Sequence, residues 1–179
     1  MGWSVHNSAD FPRLTTERLV LRPLVTNDFP AISSLRSDGK VNQFIKRPKN
    51  CTLRNAKDFI EKIIKGVKNE DLLFWVIEIK EKQRFAGTIC LWNFSEDRKT
   101  AELGYELMPA FHGNGIMNEA GECIIRYGFQ VLRLQQVEAF THKDNTRSIA
   151  LLEKHKFKRD SLREDPANKN NIIYYIQAP

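Results

Sequence analysis

The apolar positions change period along the chain, and each change marks an element. From Arg18 to Leu24, Leu19 and Leu21 alternate with Arg18, Val20 and Arg22, which is the period of a half-buried strand ended by Pro23. Thr26, Asn27 and Asp28 offer caps for a helix through Ser37, with Phe29, Ile32 and Leu35 on its inner face. After an irregular lead-in over residues 1–13 and this first strand and helix, residues 38–50 read as a short helical turn and a proline-containing loop. Thr52 then caps a second helix, in which Leu53, Ala56, Phe59, Ile60, Ile63, Ile64 and Val67 recur at helical spacing. Three strands follow with short polar connections: Leu72 to Lys80, Phe85 to Phe94 and Lys99 to Met108, an antiparallel meander with a hairpin at Ser95 to Arg98. A third helix from Ile116 to Leu132 carries Met117, Ala120, Ile124, Tyr127 and Val131 on one side. It separates the Lys99 strand from a strand at Leu134 to Thr141, so the two can lie parallel. Asn145 caps a last helix to about His155, and strands near Phe157–Arg163 and Asn171–Gln177 close the sheet.

The pattern predicts one α/β domain over residues 1–179, with a mixed, mostly antiparallel sheet flanked by helices. With 179 residues, 41% hydrophobic and 28% charged, the chain has the profile of one compact globular domain. It shows no repeat and no apolar run near the ~20 residues of a membrane span. The first residues lack a charged-then-apolar export signal. Cys51, Cys90 and Cys123 are odd in number and widely spaced, which predicts reduced thiols in a cytoplasmic protein. Those cysteines and the scattered His6, His112, His142 and His155 give no metal spacing, so no metal is expected. The net charge of +6 suits an anionic cofactor or an RNA. Because acids are interleaved with the basic residues and no nucleic-acid motif occurs, a moderately basic surface is the preferred reading.

The chemistry concentrates at His112-Gly113-Asn114-Gly115, between a strand and a helix. Two glycines one residue apart allow a tight curl with positive φ. The helix that follows starts with unpaired N–H groups and the positive end of its dipole. Such a turn is a cradle for phosphate or pyrophosphate, or else a simple chain reversal. It is not a P-loop, because Ile116 and Met117 follow Gly115, and not a dinucleotide fingerprint, because Asn118 stands where the third glycine belongs. Just before it, Glu102 and Glu106 lie on one side of their strand by alternation.

Four stretches together carry a family resemblance: Glu17 to Leu24; Ala101-Glu-Leu-Gly-Tyr-Glu-Leu107 running to Pro109; His112 to Ala120; and Asn145-Thr-Arg-Ser148 through Leu151-Leu-Glu-Lys154 to Phe157. In order and separation the chain resembles the GNAT superfamily of acetyl-CoA-dependent N-acetyltransferases, most closely its ribosomal-protein N-terminal (RimJ/RimL-like) branch. Two departures stand out: Ala110 lies where the superfamily often has Gln or Arg, and His155-Lys156 where it often has a glycine.

The resemblance implies acetyl-CoA as co-substrate, with its pyrophosphate held by the backbone from His112 through Gly113, Asn114, Gly115 and Ile116 to Met117. It implies that Leu107 and Met108 pair with the pantetheine arm in a slot where the two parallel strands splay apart. Asn145 and Ser148 would approach the thioester end. An attacking amine must lose a proton, and a carboxylate within reach can take it. Glu102 matches the superfamily's usual base, and Glu106 is the second candidate. Ser148 is the candidate to protonate or stabilise the leaving thiolate. Tyr105 and Tyr127 could substitute but read better as core, and Cys90 and Cys123 are expected to be bystanders. The acceptor expected is a primary amine: a protein N-terminal α-amine, or a small amine such as a polyamine, amino sugar or antibiotic. A non-catalytic CoA- or RNA-binding module is the competing class, and a homodimer through the terminal strands is plausible.

Overall fold

A computed structural model describes residues 11–47 and 52–179. The lead-in before residue 11, His6 and Cys51 lie outside the described residues. The described chain runs β1 (Leu14–Thr15), β2 (Leu19–Pro23), α1 (Phe29–Ser37), α2 (Leu53–Lys68), β3 (Leu73–Ile79), β4 (Arg84–Trp92), β5 (Thr100–Leu107), α3 (Ile116–Gln130), β6 (Gln136–His142), α4 (Thr146–Lys154), β7 (Lys158–Asp160) and β8 (Asn171–Gln177). Short 3₁₀ turns occupy Val41–Phe44, between α1 and α2, and Pro109–Phe111, between β5 and α3.

The strands form one sheet in the order β1-β2-β3-β4-β5-β6-β8-β7. Neighbours are antiparallel except β5 and β6, which run parallel as the intervening α3 requires. The mixed α/β architecture expected from the sequence is therefore the architecture present.

The sheet sorts its side chains by alternation into two cores. On one face Leu19, Leu21, Trp75, Ile77, Ile89, Leu91 and Leu103 pack with Ile116, Met117, Ala120 and Ile124 of α3 and with Leu152 of α4. On the other, Phe74 and Val76 pack with Ile32 of α1 and with Ala56 and Ile60 of α2. Burying a side chain of this size contributes roughly 1.5–3 kcal/mol. An ion-paired cluster joins the second layer: Arg22 of β2 reaches Asp28 at 2.8 Å and Glu78 of β3 at 2.7 Å, all largely buried.

Several boundaries differ from the sequence pattern. Val131 lies beyond the end of α3 and is 60% exposed, and Leu53 in the first turn of α2 is 54% exposed. In both, the helical period runs on past the part of the helix that faces the sheet. Thr52 caps α2 as expected, its hydroxyl accepting from the Asn55 N–H at 3.2 Å. Asp28, in contrast, makes no side-chain cap to α1; its carboxylate is held by Arg22 and the Val25 N–H instead. The strand expected over Phe157–Arg163 is confined to Lys158–Asp160.

Candidate active site

The cradle forms where β5 runs out. Pro109–Phe111 makes one tight turn, His112 is extended, and Gly113 and Gly115 take φ of 78° and 71°. A residue with a Cβ would pay about 1–2 kcal/mol in that region, which is why both positions are glycine. A Cβ on Gly113 would meet nothing within 4 Å, so the turn is open above its backbone. The side chains of Ile116 and Met117 are buried in the core and fix the helix start, while Gly113, Asn114 and Gly115 remain exposed. Glu119 is the first residue of α3 whose N–H reaches an in-helix carbonyl, that of Gly115 at 3.1 Å. The amides of Ile116, Met117 and Asn118 therefore have no in-helix acceptor and lie at the positive end of the dipole.

Two arginines that the motif reading passed over flank this turn. Arg18, at the start of β2, donates from Nη1 to the Asn114 carbonyl at 2.9 Å and from Nε to Glu119 at 2.6 Å. Glu119 also accepts from the Arg18 N–H and the Thr16 hydroxyl. Burial alone would raise the Glu119 pKa, but these hydrogen bonds outweigh it and hold the carboxyl below its usual range. On the other side, Arg147 donates to His112 Nδ1 at 3.1 Å. His112 Nε2 accordingly carries the proton and donates to the Leu107 carbonyl at 2.9 Å.

A slot opens beside the cradle. β5 and β6 are paired over Thr100–Glu102 with Gln136–Glu138. Beyond that point β5 continues along β4 to Leu107, and β6 continues along β8 to His142. The Met108 N–H donates to the Ala86 carbonyl at 2.8 Å, and the Met108 carbonyl accepts from Phe111 at 2.9 Å. Alternation along an antiparallel ladder then turns the backbone groups of Leu103, Tyr105 and Leu107 away from β4, toward the slot. Both Met108 backbone groups are engaged and the Leu107 carbonyl accepts from His112, while the Leu107 N–H is turned toward the slot.

Across the slot, Asn145 caps α4, its side chain accepting from the Ser148 N–H at 3.3 Å. Ser148 is buried, and its hydroxyl lies 2.7 Å from that of Tyr105. Burial pushes the Tyr105 phenol up to about 12, against the opposing pull of Ser148, so it stays protonated at neutral pH. The Tyr105 ring packs against the core, as the sequence suggests, while its hydroxyl pairs with Ser148. Tyr127 is core as expected, edge-on to Trp75 at 5.7 Å.

The carboxylates sit on the opposite face of β5. Glu102, Gly104 and Glu106 alternate there, opposite Trp92, Cys90 and Thr88 of β4. Gly104 leaves the floor low: a Cβ on it would come within 2.9 Å of Cys90 Sγ and 3.5 Å of Trp92 Nε1. Their environments part the carboxylates. Glu106 is held by Arg47 at 2.6 Å. Glu138, the partner of Glu102 on β6, is held by Arg163 at 2.7 Å and by Gln136 at 2.7 Å. Glu102 has Asn93 Nδ2 at 3.4 Å, and burial, aided by the charges of Asp165 and Glu138, pushes it up to about 7. Burial and the charges of Glu106 and Glu102 push the Cys90 thiol up to about 12, an unreactive state that fits a bystander. Among the described residues no group of His, Cys, Asp and Glu could hold a metal ion.

A family model for the acetyltransferase (GNAT) domain matches residues 18–158. The uncharacterized N-acetyltransferase YoaA of Bacillus subtilis (strain 168) is 27% identical over 164 residues, which covers 92% of this chain and 93% of that one. A structure described as a putative ribosomal-protein-serine acetyltransferase from Vibrio cholerae superposes with a TM-score of 0.80 at 18% identity, over 93% of this chain and 97% of that one. The microcin C7 self-immunity acetyltransferase MccE, in complex with acetyl-CoA and AMP, does so with a TM-score of 0.78 at 22% identity, over 90% of this chain and 93% of that one. At those identities the structural likeness speaks to the fold. The chain belongs to the GNAT acetyltransferases.

Proposed function

We propose that this protein transfers the acetyl group of acetyl-CoA to a primary amine by direct attack, without a covalent enzyme intermediate, and that Glu102 is the base. The observation that carries the reading is the parting of β5 and β6 just past Glu102, with the amide cradle at the far end of the same strand. The turn fits an anionic donor: open backbone above Gly113, free amides from Ile116 to Asn118, and Arg18 and Arg147 on either side. Acetyl-CoA supplies the reactive thioester and, in its pyrophosphate, the anion for the cradle.

The remaining work falls to side chains and amides of this chain. Glu102, with a pKa near neutrality and no arginine partner, accepts the proton of the amine directly or through a water. The Leu107 N–H points into the slot and polarises the acyl oxygen. The paired hydroxyls of Tyr105 and Ser148 stand on the α4 side and supply a proton to the departing sulfur. Asn145 holds the helix start that positions Ser148. Arginine pairing makes Glu106 the weaker candidate for the base.

For the acceptor, a protein N-terminal α-amine of the ribosomal-protein type is favoured by the name of the Vibrio cholerae neighbour. The acids around Glu102, namely Glu138 and Asp165, favour instead a cationic small amine such as a polyamine. The test is release of CoA thiol from acetyl-CoA with a panel of N-terminal peptides, polyamines, amino sugars and aminoglycosides. Turnover with one class assigns it, whereas binding of acetyl-CoA without turnover on any amine would leave a CoA-binding module.

A further inference from the structure

Arg47 carries a signal that the transfer chemistry does not use. It lies in the segment that follows the Val41–Phe44 turn, and that turn is laid across the open end of the sheet by stacking of Phe44 on His142, with ring centroids 5.2 Å apart. The Arg47 side chain is 8% exposed and donates from Nη2 to Glu106 Oε1 at 2.6 Å. Among the described residues its Nε and Nη1 are buried with no hydrogen-bond partner, and so is Glu106 Oε2. A buried donor without a partner costs about 1–3 kcal/mol, more when it is charged. One ion pair thus keeps two donor nitrogens and one acceptor oxygen uncommitted. It does so on the face of β5 that bears Glu102, one strand position from the Leu107 amide.

Resting on the acetyltransferase reading, we infer that Arg47 is a specificity-determining residue that reads a carbonyl or carboxylate oxygen on the carbon next to the amine-bearing carbon of the acceptor. The acceptor class is then α-aminoacyl: an amine two bonds from a carbonyl or carboxylate carbon. The amine nitrogen faces Glu106 Oε2 and Glu102, and the oxygen faces the Arg47 guanidinium. A polyamine has no such oxygen and would set a second cation against Arg47, and an amino sugar offers only neutral hydroxyls there. The shared chemistry has two sources, the first carbonyl of a peptide and the carboxylate of a free amino acid.

The test measures binding, so it needs no turnover. CoA is joined through a thioether-acetyl link to the amine of an alanyl peptide, of alanine, of alaninol and of a diamine, and each conjugate is titrated against the full chain by calorimetry. The peptide and alanine conjugates are expected to bind about 10- to 100-fold more tightly than the alaninol and diamine conjugates, the range for a hydrogen bond to a charged group. The tighter of the two then identifies the source. Arg47→Met and Arg47→Lys should erase most of that difference while plain CoA binds unchanged. Equal affinity of all four conjugates for the unaltered chain, or an equal loss on all four in the variants, would overturn the assignment and leave Arg47 as a structural tie. Failure of plain CoA to bind would instead remove the acetyltransferase reading itself.

Discussion

Glu102 and Glu138 are directly opposed on the parallel strands β5 and β6, and the arginine goes to Glu138. Burial, with the charges of Asp165 and Glu138, pushes Glu102 up to about 7 against the opposing pull of a long contact to Asn93. A carboxyl so placed is half ionised near neutral pH, which suits a group that must take a proton and lose it again in each cycle.

Glu102→Gln should lower kcat by about 10²–10⁴-fold, the usual range for losing a general base, with acetyl-CoA affinity unchanged. In the unaltered enzyme, kcat/KM should fall as pH drops through about 7, because protonated Glu102 cannot accept a proton. That limb should vanish in the variant, leaving the titration of the amine itself. Stability runs the other way. A carboxyl raised from 4.5 to about 7 binds its proton more tightly in the folded state, so its contribution is full below 4.5 and is lost as pH rises through 7. Glu102→Gln should flatten that slope in denaturant titrations across this window.

Arg18 links the start of β2 to the cradle through Asn114 and Glu119. Arg18→Ala should weaken acetyl-CoA binding about tenfold, within the range for a hydrogen bond to a charged group, and reduce its dependence on salt. Unchanged affinity and salt dependence in titrations of the variant would confine Arg18 to holding Glu119.

Tyr105→Phe and Ser148→Ala each remove one hydroxyl of a pair 2.7 Å apart. Each should lower kcat with little effect on acetyl-CoA affinity, and the double variant should be little worse than the more damaged single one, because the two hydroxyls act as a unit. A double-mutant cycle on kcat measures this; additive losses would separate their roles.

Arg22 pairs with both Asp28 and Glu78 inside the helix-bearing layer. Arg22→Met should cost about 3–5 kcal/mol of stability, the toll of leaving buried carboxylates unpaired. Urea unfolding reads it directly.

Much of the fold was legible because it is written locally. The helical period of α2, the polar hairpin at Ser95–Arg98 and the paired glycines at 113 and 115 each signal their own conformation within a few residues. The helix between β5 and β6 made their parallel pairing readable as well. Contacts made only by folding were not legible. Arg47 meets Glu106 across 59 positions, Tyr105 meets Ser148 across 43, and Arg18 meets Glu119 across 101. No local pattern encodes such a pair. Glu102 and Glu106 look alike in the sequence, and Arg47 and Arg163 are what tell them apart. Val131 and Leu53 misled for a related reason: periodicity marks a helix face but not where that face leaves the sheet.

Acetyl-CoA is expected to bind with its pyrophosphate on the turn at Gly113. Isothermal titration of the protein with acetyl-CoA, beside the Gly113→Glu variant, tests it most directly. That substitution puts a carboxylate into the open cradle at a position with φ of 78° and no neighbouring atoms to disturb. Saturable binding to the unaltered protein and none to the folded variant is the expected result. Equal binding by both, or no binding by the folded unaltered protein, would contradict it.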